Sequence, residues 1–119
     1  MAISTDIGVV TTTVATESEA SKLAMGLLEA KLVACVQIEG PICSRYHWQG
    51  VIETAMEYRL VCKTRPTFWE DIQAYVATHH PYQLPQLVML TGVGSHAYGA
   101  WVGDSIQVGG NRGEGGGHR

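Results

Sequence analysis

No apolar run in this chain approaches the roughly 18 residues that a membrane span requires, so no spanning helix is expected. The start, Met1-Ala2-Ile3-Ser4-Thr5-Asp6, has no basic stretch leading into an apolar one. No secretory signal is therefore predicted, and the chain reads as cytoplasmic. Positive charge is scarce too: eight lysines and arginines stand against eleven acids, a formal charge of −3. Without a basic footprint, nucleic acid is not an expected partner. The three cysteines, Cys35, Cys43 and Cys62, are odd in number and lack CxxC spacing. That excludes a disulfide framework and a structural zinc site, and predicts buried, reduced thiols. Neither a Gly-x-Ser-x-Gly elbow nor a phosphate-binding Gly-rich loop is present. A Cys35–His80 dyad is the nearest thing to a nucleophilic pair. Cys35 sits in the most apolar segment, however, where a thiol is hard to ionise. The chain reads as a non-enzyme, with no organic cofactor predicted.

What is there fits one globular domain of 119 residues that is 45% hydrophobic and 16% charged. Ile7 to Val14 reads as a strand, apolar first and then β-branched through three threonines. Thr16 and Glu19 have the spacing of a helix capping box. Ala20, Leu23, Ala24, Leu27, Leu28 and the stem of Lys31 follow at helical spacing. Leu32 to Ile38 is a second strand, and Gly40-Pro41 predicts a bulge or bend. Beyond it, Ile42, Ser44, Tyr46 and Trp48 share one face and Cys43, Arg45 and His47 the other. Gln49-Gly50 marks the turn, and Val51 to Thr64 returns. The two runs predict a hairpin far longer than a pair of average strands. Such an arm has edges that self-association would cover. Pro66 opens a second helix, with Thr67 and Glu70 as another capping box; Trp69, Ile72, Tyr75 or Val76, and His79 share its face. Leu84 to Leu90 reads as a fourth strand, and Ser95 to Val102 as a short helix with Tyr98, Trp101 and Val102 on its apolar side. The order β-α-β-β-α-β predicts an α+β fold of the ferredoxin-like, split βαβ kind, both helices on one face of an antiparallel sheet. Residues 1–107 form this unit; 108–119 are a Gly-rich tail expected to be disordered.

Between the second helix and the fourth strand lies Thr78-His79-His80-Pro81-Tyr82-Gln83-Leu84-Pro85-Gln86. Two imidazoles, a phenol and two prolines share nine residues. The prolines stiffen the connection and push His80 and Leu84 towards extended backbone. Adjacent imidazoles are candidate metal ligands. On a helix, consecutive side chains diverge by about 100°, so one ion takes both only if the helix has ended at His79. The plainer alternative packs His79 partly and leaves His80 at a helix C-terminus, where the dipole favours its charged form. Cys43 and His47, roughly 13 Å apart along one strand, are too distant to share an ion. His96 and His118 read as solvent-exposed.

Several segments resemble the CutA family of divalent-cation tolerance proteins. They are Lys31-Leu32-Val33-Ala34-Cys35-Val36, Tyr46-His47-Trp48-Gln49-Gly50, Glu57-Tyr58 with Lys63-Thr64, His79-His80-Pro81-Tyr82-Gln83-Leu84-Pro85, and Tyr98 to Trp101. The likeness runs in order from about Ile7 to Val102. It implies a tight cytoplasmic homotrimer whose long hairpins pair between subunits, linked to tolerance of copper and other divalent metals. It also implies likeness to the trimeric PII signalling proteins, whose subunit clefts bind small effectors. His79 and His80 correspond to the family's metal-binding pair, with copper or another divalent cation as the ion. The family's third ligand, a cysteine of the first strand, falls here on Thr12. Losing that thiolate weakens the case for Cu(I) and leaves Cu(II) or Zn(II) through nitrogen. Where many members have an acid after His-Pro-Tyr, this chain has Gln83. The resemblance places Trp48, Glu57, Lys63, Tyr82, Tyr98 and Trp101 near the subunit clefts. There Lys63 would meet a small anionic effector and Trp48 would stack on it; an interface salt bridge of Glu57 with Lys63 is the alternative reading.

Overall fold

The computed structural model describes residues 5–106, which measure 52 × 25 × 24 Å. The tail 108–119 lies outside the described residues. The elements are β1 (Asp6–Val14), α1 (Glu17–Glu29), β2 (Cys35–Trp48), β3 (Val51–Thr64), a 3-10 turn (Pro66–Phe68), α2 (Trp69–His79), β4 (Val88–Val93) and α3 (His96–Ser105). The four strands form one antiparallel sheet in the order β2-β3-β1-β4. With two helical crossovers this is the split βαβ arrangement expected from the sequence.

The core lies between the sheet and α1 and α2. Val10 pairs with Cys62 in the β1–β3 ladder and Thr12 with Leu60, and all four side chains are buried. Ala20, Leu23, Ala24 and Leu27 of α1 and Ile72 and Val76 of α2 close over them. Gly26 leaves room for the hydroxyl of Tyr75, so α1 and α2 approach closely there. Val102 and Ile106 add the last side chains.

Thr16 caps α1 as predicted: its hydroxyl accepts the Glu19 amide at 3.1 Å. The helix stops at Glu29 rather than running through Lys31. Lys31 is in the left-handed region, φ 59°, its N–H bonded to the Leu28 carbonyl and that of Leu32 to the Leu27 carbonyl. That is a Schellman ending with lysine where glycine is usual. The second predicted capping box does not form. Pro66 starts a 3-10 turn, and α2 begins after Phe68 with no side-chain cap. Ser95 caps α3 by accepting the Tyr98 amide at 3.1 Å.

The arm is longer and more continuous than two ordinary strands. β2 runs unbroken through Gly40-Pro41, where the register shifts between Glu39 and Ile42. Gly40 is at φ 153°, and a Cβ there would fall 2.5 Å from the Tyr58 ring. Gln49 and Gly50, both at positive φ, make the two-residue turn between Trp48 and Val51. β1 pairs with β3 only over Tyr58–Thr64, so beyond Tyr58 the arm is a two-stranded ribbon. The fourth strand starts at Val88, not Leu84; residues 84–87 remain in the connection, held off the sheet by Pro85.

Candidate functional site

The connection after α2 turns inward at His80. α2 ends at His79, and His80 has extended backbone, φ −82° and ψ 138°, as its position before Pro81 requires. The two imidazoles therefore go separate ways. His79 stacks on Tyr75, centroids 3.8 Å apart and planes at 8°, and its Nδ1 lies 2.8 Å from the Tyr75 carbonyl. A carbonyl only accepts, so Nδ1 carries the proton and Nε2 keeps the lone pair at an exposed side chain.

His80 faces the end of β1. Its Nε2 is 3.0 Å from the Thr13 carbonyl and 3.1 Å from the Thr12 hydroxyl. By the same reasoning, Nε2 donates to the carbonyl. Nδ1 accepts the backbone N–H of Tyr82 at 3.0 Å. Both ring nitrogens are thus committed in the neutral form. Burial holds the His80 pKa below the ordinary histidine value, against the upward pull of the Thr13 carbonyl, Glu19 and Glu57. The expectation of a dipole-favoured, charged His80 is thereby reversed. In this arrangement the two imidazoles do not converge on one ion, and the open lone pair of the pair is His79 Nε2. Among the described residues, no three His, Cys, Asp or Glu side chains are grouped to hold a metal ion. Cys35 is not among the partners of His80.

Tyr82 continues the chain of contacts. Its hydroxyl donates to Glu57 Oε2 at 2.7 Å, and its ring meets that of His80 edge-on at 5.0 Å. Burial pushes the Tyr82 phenol well above its usual range, aided by the Glu57 contact. Glu57 is only 6% exposed. It lines a cavity of about 960 Å³ between the inner face of the arm and residues 82–86.

Of the six predicted cleft residues, Trp48, Glu57 and Tyr82 line this cavity. Lys63, Tyr98 and Trp101 do not. Lys63 donates to Gln37 at 2.8 Å, and within the protomer it does not pair with Glu57. Tyr98 and Trp101 lie together on α3, centroids 5.5 Å apart. Tyr46, Glu53, Leu84 and Gln86 complete much of the lining; the period-2 alternation of the arm could have pointed to the first two. Cys35 and Cys62 are buried as expected, and burial pushes the Cys62 thiol up to about 12. Cys43 departs from the expectation, exposed on the outer face of the arm beyond the core.

The family described as CutA1 divalent ion tolerance protein matches residues 8–105. The chain belongs to the CutA1 family. A CutA homolog from Xenopus laevis is 36% identical over 91 residues, covering 76% of this chain and 60% of that protein. The divalent-cation tolerance protein CutA of Yersinia pestis is 34% identical over 99 residues, covering 82% and 83%. Among solved structures, CutA1 from Oryza sativa superposes with TM-score 0.85 at 29% identity, over 91% of this chain and all of that one. CutA from Synechococcus elongatus gives 0.80 at 38%, covering 89% and 95%. A CutA from Archaeoglobus fulgidus, described as periplasmic, gives 0.80 at 30%, covering 85% and 99%. The CutA1 fold therefore accounts for the sheet, the arm and all three helices. Among the described residues, no helix is long and apolar enough to cross a membrane.

Proposed function

We propose that this chain acts in tolerance of, or response to, divalent metal ions, copper among them, as a cytoplasmic homotrimer. The observation that carries the reading is an imidazole pair at the end of α2 in a chain of this family. Each protomer meets the ion weakly at the His79–His80 corner. His79 Nε2 is the accessible donor, and His80 joins only by giving up the Tyr82 amide. Weak binding through nitrogen suits Cu(II) or Zn(II) better than Cu(I), because Thr12 offers no thiolate. The trimer is supported by the arm. A two-stranded ribbon is marginal by itself, and this one carries exposed Tyr46, Val51, Ile52 and Met56, with Leu90 and Val93 exposed on β4.

Calorimetric titration of Cu(II) into the full chain tests the metal reading. Saturable binding at a fixed ratio per protomer, weakened by His79→Ala and retained in His118→Ala, is expected. Identical isotherms for the wild type and the His79→Ala, His80→Ala double variant would overturn it. Light scattering at micromolar protein tests the trimer, and a monomer mass would sink it.

A further inference from the structure

The inner face of the arm, which lines the cavity, carries charge of the opposite sign to the one an anionic effector needs. Strand alternation sends Ser44, Tyr46 and Trp48 of β2 towards it. Arg45 and His47 also border the cavity, while alternation starts their side chains from the other face of the ribbon, opposite Thr54 and Ile52. The exposure pattern follows this alternation: Ser44 and Trp48 are half-buried while Cys43, Arg45 and His47 are exposed. On β3, Glu57 and Glu53 share the inner face, Glu53 directly opposite Tyr46. Lys63, the cation expected to receive an anion, is bound to Gln37 away from the lining. The charged side chains on the inner face of the arm beside the cavity are thus two carboxylates.

Glu57 is unusual among them. A carboxylate 94% withdrawn from solvent normally has a cationic partner, and Arg59, two residues on, pairs instead with Glu39 at 2.8 Å. Tyr82 satisfies Oε2 alone. The other oxygen has no hydrogen-bond partner among the described residues, and Tyr46, Trp48 and Tyr82 line the same cavity. A buried carboxylate lining a pocket together with aromatic rings is the environment of an organic cation: the acid takes the N–H donors and the rings take the charge and the apolar body. A metal ion fits less well, since no third ligand is grouped with the acids among the described residues.

We infer that the cavity beneath the arm binds a small organic cation, an ammonium or guanidinium carrying an apolar or planar body, with its head on Glu57 and its body against Trp48. This inference is independent of the metal reading at His79 and His80, whose variants leave Glu53, Glu57 and Trp48 in place.

Three probes sharing a phenyl ring and differing in charge test it: phenethylammonium, phenethyl alcohol and 3-phenylpropionate. Each is titrated calorimetrically into the full chain at pH 7, with tryptophan fluorescence as a second readout and light scattering on the same samples. Phenethylammonium is expected to saturate, with the alcohol about tenfold weaker and the anion weakest. Glu57→Gln, which keeps an acceptor for Tyr82, is expected to remove the ammonium's advantage and leave the alcohol unchanged. Glu53→Gln, at an exposed site with little risk to folding, is expected to weaken the ammonium alone. The inference fails if the anion binds as well as the ammonium, if no probe saturates, or if both acid variants bind like wild type. It also fails if probe binding occurs only where scattering shows the assembly coming apart, because a second copy of the chain would then be the occupant.

Discussion

The imidazole of His80 accepts the backbone N–H of Tyr82 at 3.0 Å, and this fixes which protonation state the fold tolerates. A proton on Nδ1 would point at that N–H, with Nε2–H already given to Thr13. Burial lowers the His80 pKa in the fold below the ordinary value of about 6.5. The unfolded chain therefore binds more protons than the native one as pH falls through that value, and stability falls with it. The contribution is fully present above about pH 6.5 and is lost on descending towards the lower, folded pKa. Urea melts between pH 8 and pH 5 are expected to lose midpoint steadily on the acid side. In His80→Gln that slope should flatten; an unchanged slope would place the effect on other groups.

Features set by neighbours in sequence were legible in it. Thr16 caps α1 and Ser95 starts α3 because a hydroxyl three residues from a free amide suffices. The alternation from Ile42 to Trp48 predicted the inner and outer faces of the arm. Features set by distant partners were not legible. The sequence offers His80 as a metal ligand or as a charged imidazole at a helix end, yet its partners Thr12 and Thr13 lie 68 and 67 residues away. The charge on the arm's inner face depends on the cross-strand register that sets Glu53 opposite Tyr46 and Glu57 opposite Ile42. Thr67 had the capping spacing, but Pro66 diverted the backbone into a 3-10 turn first.

The cysteines divide by position, which gives a chemical test. Cys62 is buried with its thiol pushed up to about 12, and Cys35 is also buried. Cys43 is exposed on the outer face of the arm. The thiolate is the reactive species, so burial protects twice, by access and by ionisation. Iodoacetamide at pH 8 is expected to modify Cys43 alone in the native protein, and all three cysteines in urea. Peptide mass mapping reads the result; native labelling of Cys62 at a rate like that of Cys43 would contradict the placement.

The end of α1 carries a correctable cost. Lys31 occupies the left-handed position of the Schellman ending at φ 59°, where a side chain is strained and glycine is not. Its backbone N–H and that of Leu32 close the helix, so the conformation cannot relax without losing both bonds. Lys31→Gly is expected to stabilise the fold by about 0.5–1 kcal/mol. Chemical denaturation with an unchanged m-value would measure it, and a loss of stability would show that the alkyl stem of Lys31 contributes more than the backbone strain removes.

Glu57 and Tyr82 should behave as a coupled pair. The phenol donates to a buried carboxylate at 2.7 Å, from a segment 25 residues away that also borders the cavity. Removing the donor alone leaves the carboxylate short of a partner, so Tyr82→Phe is expected to cost about 1.5–3 kcal/mol. Glu57→Gln keeps an acceptor without the charge and should cost less. In the double variant the phenylalanine has no carboxylate left to abandon. Its cost on the glutamine background should therefore be smaller than on the wild type, a positive coupling of about 1 kcal/mol or more. Four urea denaturation curves complete the cycle. Strict additivity would mean that the bond holds neither partner, and that residues 82–86 are positioned by His80 and the two prolines alone.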